Sequence, residues 1–409
     1  MAKLNPFYQN LSGSYLFSTI ASRVQAHATR NPKRPIIRLG IGDVTLPLVP
    51  AVIAALHRAV DEQATAEGFR GYGPEQGYAF LRETIVQDCY RDLGIEADEV
   101  FISDGAKCDM GNFQELFARS ATVAISDPVY PVYVDSNIMA GRGGQARSLP
   151  GIVYLPCTAA NGFAPALPEK RPDIVYLCSP NNPTGTVLTR EQLQAWVDYA
   201  RANESIILFD AAYEAYIHTP SIPRSIFEIA GAREVAVECR SYSKGAGFTG
   251  LRCGYTVVPK TVMGRLGQHG QSLHSLWLRR QTTKYNGCPY IVQRAAEAVH
   301  SPEGRAQCRA VINRYMHNAA VIRQTFADLG LAVYGGVDAP YVWVELPKGM
   351  GSWQFFDLLL EEAGIVGTPG AGFGPGGEGY FRLTGFGREE DTMEAVARLE
   401  GITNICSKE

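Results

Sequence analysis

Between about residues 75 and 260 the chain passes through five short, mostly apolar runs: 99–102 (EVFI), 122–126 (TVAIS), 174–178 (IVYLC), 205–209 (SIILF) and 235–239 (VAVEC). Runs this short and rich in β-branched residues suit strands buried on both faces. Helical patterns lie between them. Over 76–93, Phe80, Leu81, Ile85, Cys89 and Leu93 share one face before Gly94 stops the pattern. Thr189-Arg190-Glu191-Gln192 is a capping box that opens the helix LQAWVDYARA. Strands alternating with helices predict an α/β fold with a mostly parallel sheet between two layers of helices.

After about residue 290 the texture changes. A long helical pattern runs from Val292 to about Leu329, followed by the strand-like YVWVEL at 341–346 and a helix around Trp353–Glu362. The glycine-rich GTPGAGFGPGGEG is short and bracketed by strand-like sequence, which marks a folded loop rather than a linker. The expected division is an N-terminal arm and part of a small domain (1–45), a large domain (46–290) and a C-terminal small α+β domain (291–409). With 409 residues, 46% of them hydrophobic, the chain has material for both cores.

The charge balance, 38 basic against 41 acidic residues, gives no electrostatic reason to expect nucleic acid or an anionic membrane as partner. No window approaches the roughly 18 consecutive apolar residues of a membrane span. The opening Met1-Ala2-Lys3-Leu4-Asn5-Pro6 has no apolar signal core. Nine cysteines (Cys89, Cys108, Cys157, Cys178, Cys239, Cys253, Cys288, Cys308, Cys406) stand singly, without a C-x-x-C pair. An odd count of scattered cysteines suits free thiols in a reducing compartment. The expectation is a cytoplasmic enzyme of small molecules, with no metal.

In open α/β sheets, ligands bind beyond the carboxyl ends of the strands, so the strings that follow each run carry the chemistry. Ser103-Asp104-Gly105-Ala106-Lys107 opens a helix, and free N–H groups at a helix start suit a phosphate; an ordinary turn is the alternative. Asp127-Pro128-Val129-Tyr130 offers a ring for stacking on an aromatic ligand, or a core tyrosine. Ser179-Pro180-Asn181-Asn182-Pro183-Thr184-Gly185 places an amide donor at the same edge. Asp210 ends an apolar strand and must find a partner for its charge, either a protonated ring nitrogen or an arginine. Last comes Ser241-Tyr242-Ser243-Lys244, then a glycine-rich stretch to Arg252. A lysine among small residues in a restricted pocket has its pKa lowered and becomes an amine nucleophile, while the arginine fork and serine hydroxyls suit phosphate.

SPNNPTG, the DAAY that ends a strand, and SYSKGAGFTGLR resemble, in order and spacing, the class I/II aminotransferases of pyridoxal phosphate (PLP) fold type I. The resemblance implies that fold, with a seven-stranded-type sheet, and the cofactor pyridoxal 5′-phosphate. It implies that Lys244 holds the cofactor as a Schiff base and shuttles a proton, and that Asp210 pairs with the pyridinium nitrogen. Tyr213 and Asn182 would bond the phenolic oxygen, and Tyr130 would stack on the ring. Ser241, Ser243, Arg252 and the N–H groups of Ala106 and Lys107 would hold the phosphate, and Arg382, in YFRLTGFG, would clamp the substrate carboxylate.

LNPFYQNLSGSYLFSTIASRV, LGIGDVTLPL, GYGPEQGYAFLRE, DGAKCDMGNFQELF, DPVYPVYVDSN and WLRRQTTKYNG are similar to a narrower branch of that family, the aminotransferases of LL-2,6-diaminopimelate in lysine biosynthesis. Such a substrate carries an ammonium and a carboxylate at each end, so its distal zwitterion must be neutralised. The resemblance implies Glu75 for the distal ammonium, and Lys107, Tyr15 and Asn286 as donors to carboxylates. Gly42 would bring a backbone N–H close to the substrate. Tyr72, Glu75 and Asn286 would reach the site from the neighbouring subunit of a homodimer; the alternative is a surface loop and a polar helix end. One departure is Gly245, where the branch implies threonine. Competing readings are an aminotransferase of aspartate, alanine or aromatic amino acids, a PLP-binding transcription regulator, and a non-catalytic scaffold. The regulator needs an N-terminal DNA-binding module, for which the first ~20 residues leave no room.

Overall fold

The structure, a computed structural model, describes residues 1–11, 16–40, 42–143 and 151–402. After the two-residue β1 (Ile37–Arg38), seven strands form one sheet: β2 (Val100–Ser103), β3 (Val123–Asp127), β4 (Ile152–Pro156), β5 (Ile174–Cys178), β6 (Ile206–Asp210), β7 (Ala236–Ser241) and β8 (Gly254–Val257). Their spatial order is β2-β8-β7-β6-β5-β3-β4. All pairings from β4 across to β7 are parallel, and β8 runs antiparallel to both its neighbours. The five apolar runs are all strands of this sheet, within a residue or two of their expected ends. β4 and β8 carry weaker signals, one a short sheet edge ending in proline, the other four residues that begin on a glycine.

Burial on both faces explains the mostly apolar runs. Val175 and Leu177 pack into one core with Leu81, Ile85, Val197 and Phe209. Their neighbours Ile174 and Tyr176 pack into another with Phe113, Ile125, Leu208 and Trp277. That alternation is the period of two intrinsic to a strand.

A hairpin, β9 (Met263–Leu266) and β10 (His269–Ser272), precedes the C-terminal elements. These include β11 (Val333–Gly335), β12 (Tyr341–Glu345), β13 (Ile365–Val366), β14 (Thr368–Pro369) and β15 (Tyr380–Thr384). Four of them make an antiparallel sheet in the order β11-β12-β15-β14. β13 pairs in parallel with β1, which ties residues near the start of the chain to residues near its end. A third core follows: Ile20 and Val24 of the helix Leu16–Arg30 pack with Trp343, Phe355, Phe356 and Phe381.

The single helix expected from Val292 to about Leu329 is two, Tyr290–Val299 and Pro302–Asp328. Ser301 caps the second, its hydroxyl accepting from the Gly304 N–H at 3.0 Å. Pro302 at the first helical position has no N–H to give to the preceding turn. The apolar pattern crosses the break, so it does not reveal it. No helix among the described residues is long and apolar enough to cross a membrane.

The two sheets meet at the loop after β5. Gly185 has φ +68°, and a Cβ there would stand 2.2 Å from the Tyr341 carbonyl oxygen and 3.0 Å from Gly335 Cα. Gly185→Ala is therefore expected to cost at least about 2 kcal/mol, from left-handed backbone plus a backbone clash. Guanidinium unfolding of the two proteins measures it; equal midpoints would show that this contact is not needed.

Candidate active site

A cavity of about 390 Å³ opens beyond the carboxyl ends of β5, β6 and β7. Twelve of the residues singled out from the sequence line it: Gly42, Ala106, Lys107, Tyr130, Asn182, Asp210, Tyr213, Ser241, Ser243, Lys244, Arg252 and Arg382.

One end of the cavity is built for an anion. The helix Ala106–Phe113 starts there, and the first N–H groups of a helix have no intrahelical acceptor and lie at its positive end. Gly105, at φ +127°, precedes it; a Cβ on this residue would stand 2.8 Å from Nη2 of Arg252, so only glycine leaves the guanidinium its place. Arg252 Nη1 donates to the Thr249 carbonyl at 3.2 Å and lies 3.5 Å from Ser243 Oγ. The Ser241 hydroxyl accepts from the Ser243 N–H at 3.1 Å.

Asp210, buried at the end of β6, forms a second wall. Tyr133 Oη donates to its Oδ2 at 2.6 Å, and the Ala212 N–H donates to Oδ1 at 3.0 Å. Burial raises its pKa, and these two hydrogen bonds oppose the rise. No cation pairs with it among the described residues, so the arginine alternative does not hold. Next to it, Tyr213 shares a 2.6 Å hydrogen bond with Tyr341 Oη.

Lys244 sits in the short helix Tyr242–Gly245 that follows β7. Its Nζ donates to the Gly42 carbonyl and lies 5.5 Å from the centre of the Phe386 ring. Burial, with the nearby Arg382 and Arg252 charges, lowers its pKa to about 8 against the pull of Asp43. At that value about a tenth of the amine is neutral at pH 7, against fewer than one in a thousand for an ordinary lysine.

Arg382, on β15, is 1% exposed. Its Nη1 donates to Asn182 Oδ1 and its Nη2 to the Gly40 carbonyl, both at 2.6 Å. The guanidinium lies between the rings of Tyr341 and Phe373, at 4.6 and 4.7 Å. Its Nε has no partner among the described residues. Because Asn182 Oδ1 is engaged, the Nδ2 amide is the end left to donate.

These residues fit pyridoxal phosphate. The cradle at Gly105 and Arg252 suits a phosphate, the cation-free Asp210 suits a protonated ring nitrogen, and a partly neutral amine lines the same cavity. The unbonded Nε of buried Arg382 suits a carboxylate.

Three expected residues stand elsewhere. Tyr72 is 94% exposed, Asn286 is exposed and Glu75 is half-buried, and within one chain none of them lines the cavity. Their two loops touch: a Cβ on Gly287 would stand 3.1 Å from the Pro74 carbonyl oxygen. Tyr15 lies outside the described residues. Sequence reasoning missed Tyr133, Tyr341, Asp43, Cys178 and Phe386. Tyr133 had a signal, since it follows Tyr130 by three residues and a strand-end carboxylate needs a donor. Tyr341 had none, because it arrives from a different sheet.

Two outcomes are expected. The rate at which the cofactor-free protein captures pyridoxal phosphate, followed by stopped-flow absorbance, should rise with pH through a midpoint near 8. A midpoint in the ordinary lysine range, above 10, would contradict the burial argument. Tyr133→Phe removes a bond that favours the Asp210 carboxylate, so that carboxyl protonates at higher pH. Cofactor affinity should fall about tenfold, the worth of one charge-assisted hydrogen bond, and the deficit should widen as pH falls. A deficit independent of pH would assign Tyr133 to packing alone.

Known proteins resemble this chain along its whole length. The family description "Aminotransferase class I and II" matches residues 34–399. The LL-diaminopimelate aminotransferase of Lawsonia intracellularis is 57% identical over 407 residues, 98% of this chain and 99% of that protein. The enzyme of the same name from Agathobacter rectalis is 56% identical over 98% of this chain and all of its own. Among solved structures, the L,L-diaminopimelate aminotransferase from Chlamydomonas reinhardtii superposes with a TM-score of 0.93 at 46% identity, covering 98% of each chain. A Thermus thermophilus aspartate aminotransferase mutant, 21% identical with a TM-score of 0.82, shares the fold. The chain belongs to the class I and II aminotransferase family and, within it, to the branch of the LL-diaminopimelate aminotransferases.

Proposed function

We propose that this chain interconverts LL-2,6-diaminopimelate plus 2-oxoglutarate with tetrahydrodipicolinate, glutamate and water, as a cytoplasmic homodimer that uses pyridoxal 5′-phosphate. The observation that carries the reading is Lys244. Its buried, partly neutral amine stands in one cavity with a cation-free carboxylate, Asp210, and a buried guanidinium with a free donor, Arg382. The cavity then lies between a large domain, 46–290, and a small one of 291–409 joined by part of 1–45.

Pyridoxal phosphate, when bound, supplies a carbonyl to which amines add and a protonated ring that accepts electrons from the substrate Cα. The protein supplies the rest. Lys244 Nζ would hold the cofactor covalently and, when free, would move the proton at the substrate Cα. Asp210 holds the proton on the ring nitrogen, and Tyr133 holds Asp210. Tyr213 and Asn182 Nδ2 donate to the phenolic oxygen, and Tyr130 covers the ring face. Ser241, Ser243, Arg252 and the N–H groups of Ala106 and Lys107 hold the phosphate, with Tyr72 of a neighbouring copy. Arg382 and the Gly42 N–H orient the α-carboxylate of either amino acid. The distal zwitterion is met by Glu75 and Asn286 of the neighbouring copy, with Tyr15 and Lys107. The exposure of Tyr72 and Asn286 within one chain accords with a place at a neighbouring copy's site.

The test is spectroscopic. LL-diaminopimelate and glutamate should each bleach the visible band of the cofactor-loaded protein, and the meso isomer should not. An equal response to meso, or none to LL, would sink the substrate assignment and leave the transaminase. Glu75→Gln should slow the LL-diaminopimelate half-reaction at least about tenfold, the worth of a charged hydrogen bond, while sparing that with glutamate. Equal rates in both proteins would remove Glu75 from the site.

A further inference from the structure

A second cavity, of about 350 Å³, borders the segment that carries Lys244. It shares Ser241 with the first, and Tyr242, Gly245 and Ala246 form part of its wall. Its volume lies within the range of small-molecule sites, about 300–1,000 Å³.

Gly245 shapes this space. Its backbone conformation does not require glycine, yet a Cβ there would stand 3.0 Å from the Cβ of Ala215 on the facing wall. The threonine implied by family resemblance would intrude on that gap.

The charges around the cavity do not cancel. Asp88 is bonded by both Arg305 and His300. Arg240 is held between Glu214, at 3.6 Å, and the fully buried Glu238, at 2.8 Å. Glu228 pairs at 2.9 Å with Arg190, which lies outside the cavity. Each of the lining carboxylates is thus answered by a cation, and two guanidiniums remain. Arg224 uses Nη2 only on the Ile217 carbonyl, at 2.8 Å, and Arg309 has no hydrogen-bond or ion-pair partner among the described residues. His300, its pKa raised to about 9 by its bonds to Asp88 and Cys89 against the effect of burial, adds positive charge at neutral pH. Between these groups, Val299, Ile312 and Tyr255 present apolar surface.

We propose that this cavity is a second binding site, for a small organic anion whose carboxylate or phosphate meets Arg224 and Arg309 while its body rests on the apolar wall beside Gly245. A metal in the same place is the weaker reading. Asp88, Cys89 and His300 stand close together, but both ring nitrogens of His300 are engaged, by Asp88 and by Tyr242 at 2.7 Å each, and Arg305 already neutralises Asp88.

Calorimetric titration of the protein loaded with pyridoxal phosphate tests this. With the cradle at Arg252 filled by cofactor, inorganic phosphate should bind once per chain. Glutarate, which also suits the substrate site, should bind twice. Arg224→Ala/Arg309→Ala should weaken the phosphate event, and one of the two glutarate events, at least about tenfold. Gly245→Thr should weaken the same event by filling the gap, and it serves if the double variant does not fold. Loss with only one of the two probes supports the site and identifies the anion. Binding unchanged in the variants, or no event beyond the substrate site at dissociation constants below about 1 mM, overturns it. The visible cofactor band, recorded on the same samples, separates this outcome from failure of the cofactor reading.

Discussion

A guanidinium 1% exposed to solvent needs its partners in place before any substrate arrives, because a buried cation left unpaired costs several kcal/mol. Arg382 has them: Asn182 Oδ1, the Gly40 carbonyl, and the faces of Tyr341 and Phe373. These groups come from the loop after β5, the N-terminal segment after β1, the start of β12 and the glycine-rich loop before β15. One side chain therefore fixes the central sheet, the C-terminal sheet and the start of the chain around one cavity. The same arrangement leaves Nε without a partner among the described residues, so the structural node keeps one donor unspent.

The remaining electrostatics follow from low solvent access. Burial pushes the Asp210 carboxyl up and the Lys244 amine down, each toward its neutral form. Tyr133 and the Ala212 N–H limit the first shift, while Arg382 and Arg252 reinforce the second. The result is a carboxyl group held by two donors and an amine neutral often enough to react. In water the same amine would be neutral in fewer than about one molecule in a thousand at pH 7.

Much of the sheet was legible because strands buried on both faces are mostly apolar. β5 is the clearest case, with its ends where the sequence places them. β8 was hidden because four residues beginning at Gly254 merge with the glycine-rich string after Lys244. The break at Ser301-Pro302 was hidden because the apolar faces of two packed helices stay in phase across it. In the site, Asp210, Asn182 and Lys244 were legible from one rule, that ligands gather at the carboxyl edge of such a sheet. Tyr133 needed only attention to what a strand-end carboxylate must bond.

By itself the sequence determined the kinds of groups at the sheet edge: a carboxylate ending β6, an amide after β5, a lysine and two serines after β7, and a glycine before the helix Ala106–Phe113. These follow from periodicity, turn chemistry and capping, which act over a few residues. The tertiary structure decided what those groups are worth. It set Arg382 against Asn182 across 200 residues, placed Tyr341 on Tyr213, and stripped enough water from Lys244 to bring its pKa to about 8. It also left two guanidiniums without carboxylates behind the same lysine. Desolvation and ion pairing depend on which surfaces meet, and that is fixed only when the two sheets close on each other.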